Sequence, residues 1–401
     1  MNAKPPRFDE AALRERCEAT TGLCDWGDPG FEEPLQVLLA SYREAPLHDA
    51  GAGLLERSLL RSLGLRLRLV DWLRRYPEIE DEEIRSPIIV VGMMRSGTTL
   101  MQRLLAAHPD LLCTFGWEAL EPVPREGFPS ESPDPRIESG RQRDATMRRY
   151  TPELFAIHPS EAEAAEEEII FLADAFLSHV PEASAHLPLY RSWIDQADFT
   201  PAYRHLRQVL RCLQWQKRAR GAQARRWVLK SPAHLGYLET LLTAFPGAHV
   251  VHMHRDPRAS IASGASLNRV LWKMHSDTVE SRVVGSQWLE RMHWASQRAL
   301  ESRKRLPEHG FTDIRFDELA RAPLDQVARV CAAAGLPTGD APMSAVRAWQ
   351  EADRDTPHPT HHYELGEFGL EGAAVDEMFV DYRRAFLEAP HGAETGERSS
   401  T

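Results

Sequence analysis

Arg95-Ser96-Gly97-Thr98-Thr99 follows directly on the apolar run Pro87-Ile88-Ile89-Val90-Val91-Gly92. The pattern reads as a buried strand entering a tight glycine turn and then a helix, with Leu100, Leu104 and Leu105 on one face and a stop near His108-Pro109. The first turn of a helix leaves backbone N–H groups unpaired and carries partial positive charge, so this turn forms an anion pocket. Gly97 lets the backbone approach a ligand closely, Arg95 adds a fixed charge, and the Ser96, Thr98 and Thr99 hydroxyls supply further donors. Two more strand-to-helix steps deliver cations. Trp227-Val228-Leu229 ends at Lys230, ahead of a Ser231-Pro232 helix start, and His249–His254 ends at Arg255, ahead of Asp256-Pro257. Ser263 stands eight residues beyond Arg255, where a guanidinium fork and a hydroxyl beside a helix N-terminus suit a phosphate.

The elements that must position these groups follow from the same pattern. Alternating strands and helices argue for an α/β fold with a parallel sheet, and the carboxyl ends of such strands open on one crevice. Residues 9–77 read as helical, with leucines 54, 55, 59, 60 and 63 inward and Arg61, Arg66, Arg68, Arg74 and Arg75 on a solvated face. A helix over 159–180 is expected, capped by Ser160 and carrying Glu166-Glu167-Glu168 on its solvent side. Residues 201–219 continue helical, and Pro122–Pro135 has the composition of a loop at the rim of the site. His252 and His254 alternate along their strand and face one side, which reads as satisfied core or crevice residues.

Composition sets the outer bounds. The 401 residues, 42% hydrophobic and 27% charged, suit an ordinary globular protein. A net charge of −11 argues against nucleic acid as the partner. No apolar run reaches the length of a membrane span, and Met1–Glu10 lacks an apolar signal region. Cys17, Cys24, Cys113, Cys212 and Cys331 are scattered and odd in number, which fits reduced thiols in a cytoplasmic protein.

From Gly92 to Gly97 the spacing is that of an ATPase phosphate loop, but Thr98 stands where that loop carries its lysine, and the cation has moved ahead of the glycine as Arg95. This arrangement, together with Leu229-Lys230-Ser231-Pro232 and the Arg255 to Ser263 stretch, resembles the sulfotransferases. Phe316-Asp317-Glu318-Leu319, Gly335-Leu336-Pro337, Tyr363-Glu364-Leu365 and Phe368-Gly369-Leu370 extend the likeness over about residues 85–390. It is closer to the bacterial and tyrosylprotein-type members than to the cytosolic ones, whose Arg-Lys-Gly triplet is absent; His361-His362 stands in that region.

The resemblance implies a P-loop-type three-layer α/β fold, a central parallel sheet flanked by helices. An N-terminal helical region (1–84) would pack on a sulfotransferase domain (85–390), followed by a disordered tail (391–401). It implies transfer of a sulfuryl group from 3′-phosphoadenosine 5′-phosphosulfate (PAPS) to a hydroxyl of a small molecule, lipid or carbohydrate, by in-line displacement without a metal. Arg95, Ser96, Gly97, Thr98 and Thr99 would hold the 5′-phosphosulfate, Arg255 and Ser263 the 3′-phosphate, and Lys230 the bridging oxygen. Glu118, in Phe115-Gly116-Trp117-Glu118, matches the general base, with Glu121, His158 and His234 as alternatives. Trp193, Trp215, Trp272, Trp288 and Trp294 are candidates for an apolar acceptor cleft. The competing readings are a P-loop nucleotide kinase or NTPase, and a non-catalytic nucleotide-binding protein on the same fold. The acceptor, the adenine contacts and the oligomeric state stay open.

Overall fold

The computed structural model describes residues 7–124, 133–157, 161–354 and 363–388. Its centre is a sheet of five parallel strands: β1 (Ile88–Gly92), β2 (Leu111–Leu112), β3 (Arg226–Lys230), β4 (His249–His254) and β5 (Phe311–Arg315), in the order β2-β3-β1-β4-β5. Side chains alternate across a strand, so β1 feeds two layers at once. Ile89 and Val91 join one core, which also takes Leu229, Val250 and the helices of the N-terminal region. Ile88 and Val90 join a second core with Leu104, Leu105, Val228, Val251 and Val330. Helices on both faces of a parallel sheet give the three-layer α/β architecture expected from the sequence.

The register fixes where the cations arrive. Val90 of β1 pairs with Lys230 of β3, and Gly92 pairs with Met253 of β4. The central strand therefore has Lys230 on one side and the turn leading to Arg255 on the other, with its own glycine loop between them. Each crossover brings the chain back to the end of the sheet where strands begin, so all three strand ends open at the opposite end.

The N-terminal region forms the helices Glu10–Thr21, Glu32–Glu44 and Asp49–Arg75. Leu35, Leu39, Leu63, Leu67 and Trp72 are buried in the same core as Ile89 and Leu229. Burying each such side chain contributes about 1.5–3 kcal/mol, so this region is bound to the sheet by apolar packing. Two of its arginines depart from the solvated face expected for them. Arg66 is buried, donates to Trp26 O at 2.8 Å and stacks 3.9 Å from the Phe31 ring centroid. Arg61 pairs with the buried Asp174, which also accepts from Ser62 Oγ at 2.6 Å. Leu54, expected inside, is exposed.

The helix expected over 159–180 is a second correction. Residues 161–168 form turns and a bridge between Ala165 and Phe115, and helix begins only at Ile169–Asp174. Its proposed cap, Ser160, lies outside the described residues, as do His158, His361-His362, the 391–401 tail and part of the Pro122–Pro135 loop (125–132). Cys24 is exposed, and the other four cysteines are buried.

Candidate active site

The loop after β1 is shaped by two residues with positive φ, Arg95 at 71° and Gly97 at 92°. A Cβ on Gly97 would sit 2.8 Å from Phe316 Cδ2, so both the backbone angle and the space demand glycine. Ser96 Oγ donates to Met93 O at 2.6 Å and closes the turn; this fully buried hydroxyl braces the loop. The helix Thr98–Ala106 then starts with no side chain capping its first amides. Those amides, with Arg95, Gly97, Thr98 and Thr99, face a cavity of about 590 Å³.

The structure brings the three strand-end cations together around this loop. Arg255 Nη1 donates to the Arg95 carbonyl at 2.7 Å, and its guanidinium stacks 4.3 Å from the Phe316 ring centroid. Arg95 Nε donates to Ser263 Oγ at 3.1 Å and Nη1 to Ile157 O at 3.1 Å. Lys230 Nζ donates to Thr99 Oγ1 at 3.1 Å. Asp256 is occupied by Arg258 N and Arg383, so it does not neutralise Arg255. Among the described residues neither Arg95 nor Arg255 forms an ion pair with a carboxylate. Burial draws the Arg95 guanidinium below its ordinary value, and Arg255 pushes it the same way. Two guanidiniums that form no ion pair with a carboxylate among the described residues, beside open helix amides, suit an anion.

Two of the three adjacent glutamates expected on a solvated helix face, Glu167 and Glu168, hold Lys230. Glu167 forms an ion pair with Lys230 Nζ and lines the cavity. Glu168, fully buried, accepts from Lys230 N at 2.9 Å and shares a 2.9 Å hydrogen bond with His234 Nε2. His234 Nδ1 in turn shares a 2.9 Å hydrogen bond with Tyr203 OH. The triplet is thus no solvated helix face: Glu167 and Glu168 clamp the end of β3, and Glu166 lines the cavity. Its signal was present as three consecutive carboxylates, but helical periodicity masked it.

The general-base candidates separate cleanly. Glu118 is 2% exposed and held by Lys217 Nζ at 2.6 and 2.7 Å, while its Oε2 accepts from Phe115 N at 2.9 Å. It is absent from the cavity lining, as are Glu121 and His234. His234 is locked between Tyr203 and Glu168. Among the described residues, Glu166, Glu167 and Glu182 are the carboxylates that reach the cavity. Glu182 binds His179, Arg191 and Arg291. Burial alone would raise its pKa, but these partners outweigh burial and hold it down at about 2.

The remaining wall is apolar. Leu154, Ile169, Leu267, Leu271 and Met292 line it with Trp272, Trp288 and Trp294. Trp215 instead packs on Trp72 and Tyr76, and Trp193 packs beside Tyr190. His252 and His254 are buried on β4 and do not line the cavity. His254 Nε2 shares a 2.8 Å hydrogen bond with Asp313, and its ring stacks on Phe386. These two histidines and Asp313 converge within 4.8 Å, but Arg303 already takes the Asp313 carboxylate.

Fold and site together define a cationic crevice that opens on a largely apolar cavity, and comparison with known proteins gives the class. The profile of the sulfotransferase family matches residues 87–340, and the chain belongs to that family. It is therefore a transferase that moves sulfuryl groups. The crystal structure of sulfotransferase STF1 from Mycobacterium tuberculosis is similar over 93% of this chain and 98% of that one, at 30% identity and a TM-score of 0.79. That of STF9 from Mycobacterium avium covers 98% and 100%, with a TM-score of 0.84 at 22% identity, a likeness of fold. The omega-hydroxy-beta-dihydromenaquinone-9 sulfotransferase Stf3 of Mycobacterium bovis is 25% identical over 296 residues, 70% of each chain. Family membership sets aside the kinase and NTPase reading.

Proposed function

We propose that this protein transfers the sulfuryl group of PAPS to the hydroxyl of an apolar, lipid-like alcohol by in-line displacement without a metal. The observation that carries this reading is the meeting of Arg95, Lys230 and Arg255 at the mouth of a largely apolar cavity. PAPS would supply a sulfuryl group attached to a phosphate leaving group. Arg95 and the amides of Gly97, Thr98 and Thr99 hold the phosphosulfate; Arg255 and Ser263 hold the 3′-phosphate. Ser96 serves this site by bracing the loop. Lys230 neutralises the oxygen that bridges phosphorus and sulfur as charge develops on it. A sulfuryl group carries less negative charge than a phosphoryl group, so fixed cations and amides suffice by analogy with phosphoryl transfer.

The acceptor oxygen forms its bond to sulfur as the sulfur–oxygen bond to the phosphate breaks, and the electron pair leaves on the phosphate. The hydroxyl proton needs a base within reach. We assign that role to Glu167, the carboxylate that both lines the cavity and touches Lys230. Glu118 is committed to Lys217 instead. The tryptophan-rich wall supports an apolar acceptor, in line with the menaquinone derivative named for the Mycobacterium bovis relative. Calorimetric titration with 3′-phosphoadenosine 5′-phosphate (PAP) in the presence of EDTA tests the donor half. Saturable one-to-one binding is expected, and no detectable heat at high micromolar PAP would overturn the reading.

A further inference from the structure

Five arginines line the cavity: Arg95, Arg143, Arg191, Arg255 and Arg291. Four have defined company. Arg95 and Arg255 build the donor site. Arg191 and Arg291 are neutralised, the first by Glu182 and Glu290, the second by Glu182 and Asp195. Arg143 is different. It has no hydrogen bond or ion pair among the described residues, and burial draws its guanidinium below the ordinary value. Asp144 and Glu166 counter this only through space, while Arg61 adds to it.

The fold aims this side chain into the cavity. It stands on the helix Pro135–Tyr150, one turn after Gly140 and one turn before Met147. Gly140 has no room for a side chain: a Cβ there would lie 2.9 Å from both Trp117 Cβ and Ala162 Cβ. That close approach seats the helix on the 161–166 segment. The same helical face then presents Arg143 and Met147 to the cavity, beside Gly116 and Glu166. Glu166, which acts on Arg143 through space, and its sequence neighbour Glu167 line the same cavity as Arg143. A half-buried guanidinium in an apolar wall, without an acid partner, is costly unless a ligand supplies the missing oxygens.

We infer that Arg143 determines acceptor specificity by binding an oxyanion, a carboxylate or phosphate, carried by the hydroxylated lipid. This inference rests on the proposed function and goes beyond it, because it requires the acceptor to be an apolar alcohol with a second, anionic group. The test uses sulfuryl transfer from PAPS to three probe types of matched chain length. These are a neutral primary alcohol, hydroxy fatty acids with the carboxylate at increasing distance from the hydroxyl, and a hydroxyalkyl phosphate. The wild-type enzyme is expected to favour at least one anionic probe over the neutral alcohol by about tenfold or more in kcat/KM, as one charge-assisted pair provides. Arg143→Gln brings that ratio to about one through KM, Arg143→Lys leaves it intermediate, and both variants keep wild-type affinity for PAP. Equal kcat/KM for neutral and anionic probes in the wild type overturns the inference and leaves the proposed function standing. So does an Arg143→Gln variant that loses PAP affinity or loses turnover equally on all probes, since the arginine then serves the donor or the transition state. Failure of the wild type on every alcohol would instead count against the proposed function itself.

Discussion

Lys230 and Arg255 reach the same crevice from strands on opposite sides of β1, yet the account gives them separable tasks. Lys230 meets charge that develops only as the bond to the leaving phosphate breaks, so Lys230→Ala should lower kcat by about 10²–10³ with a much smaller change in PAP affinity. Arg255 meets a charge present throughout, and Arg255→Ala should weaken PAP binding by about ten- to a hundredfold, read by calorimetry. The two glutamates offer a second contrast. Glu167→Gln should reduce kcat by about 10²–10⁴ while the protein stays folded. Glu118→Gln strands the Lys217 ammonium in a buried site, and stability should fall by about 3–5 kcal/mol in denaturant unfolding. The opposite pattern, with Glu118→Gln silencing a stable enzyme, would return the base to Glu118. At this scale the sequence showed the cations but not the carboxylate that the structure sets beside Lys230. Arg95, Lys230 and Arg255 each follow an apolar strand, a local signal. Glu167 and Glu118 are told apart by the lysine each meets and by whether it reaches the cavity, and Lys230 and Lys217 come to them by contacts of long sequence separation.

Among the elements, the acceptor wall depends on two helices, Pro257–Lys273 and Ser281–Arg305, packed closely at Gly264. A Cβ on Gly264 would lie 2.2 Å from Trp288 Nε1, and Trp288 is part of the cavity lining. Gly264→Ala should therefore push the helices apart, cost about 1–3 kcal/mol of stability, and raise KM for an apolar alcohol. An unchanged denaturation midpoint would mean that the wall adapts without cost. Strands and their following helices were legible because hydrophobic runs, caps and prolines are local features. Residues 161–168 were not, because the Glu167 and Glu168 carboxylates are spent on Lys230, His234 and the backbone of β3 rather than on solvent, and those partners outweigh helical propensity.

For the whole molecule, the buried titratable groups set a direction for acid stability. His205 is buried without a partner for Nε2, and burial lowers its pKa from 6.5 to about 3. The unfolded state then takes up the proton first, so stability falls as pH drops below about 6.5. Glu182 is depressed to about 2 from 4.5, and its contribution, complete above about 4.5, is lost as pH falls toward 2. Asp313 acts in the same sense. Burial would raise it, but hydrogen bonds from His254 and Arg303 hold it well below the carboxylate range. Chemical denaturation across pH 3–7 should give stability that decreases steadily on acidification, with the slope below pH 4.5 reduced in Glu182→Gln. A flat profile would contradict the assigned burial. The three-layer architecture itself was readable from the alternation of strands and helices. The interior arginines of the N-terminal region were not, since Arg61 and Arg66 find their partners, Asp174 and the Trp26 carbonyl, only in the folded chain.

The central claim is that one end of one parallel sheet grips a sulfuryl donor and presents it to an apolar alcohol. Its most direct measurement is transfer of radiolabel from sulfur-labelled PAPS to a long-chain primary alcohol, in EDTA, by the wild-type enzyme and Lys230→Ala. The account predicts a labelled sulfate ester formed in proportion to PAP, with the variant slower by about 10²–10³ at saturating PAPS. Labelled ester from both proteins at equal rates, or none from the wild type at saturating donor, would contradict it.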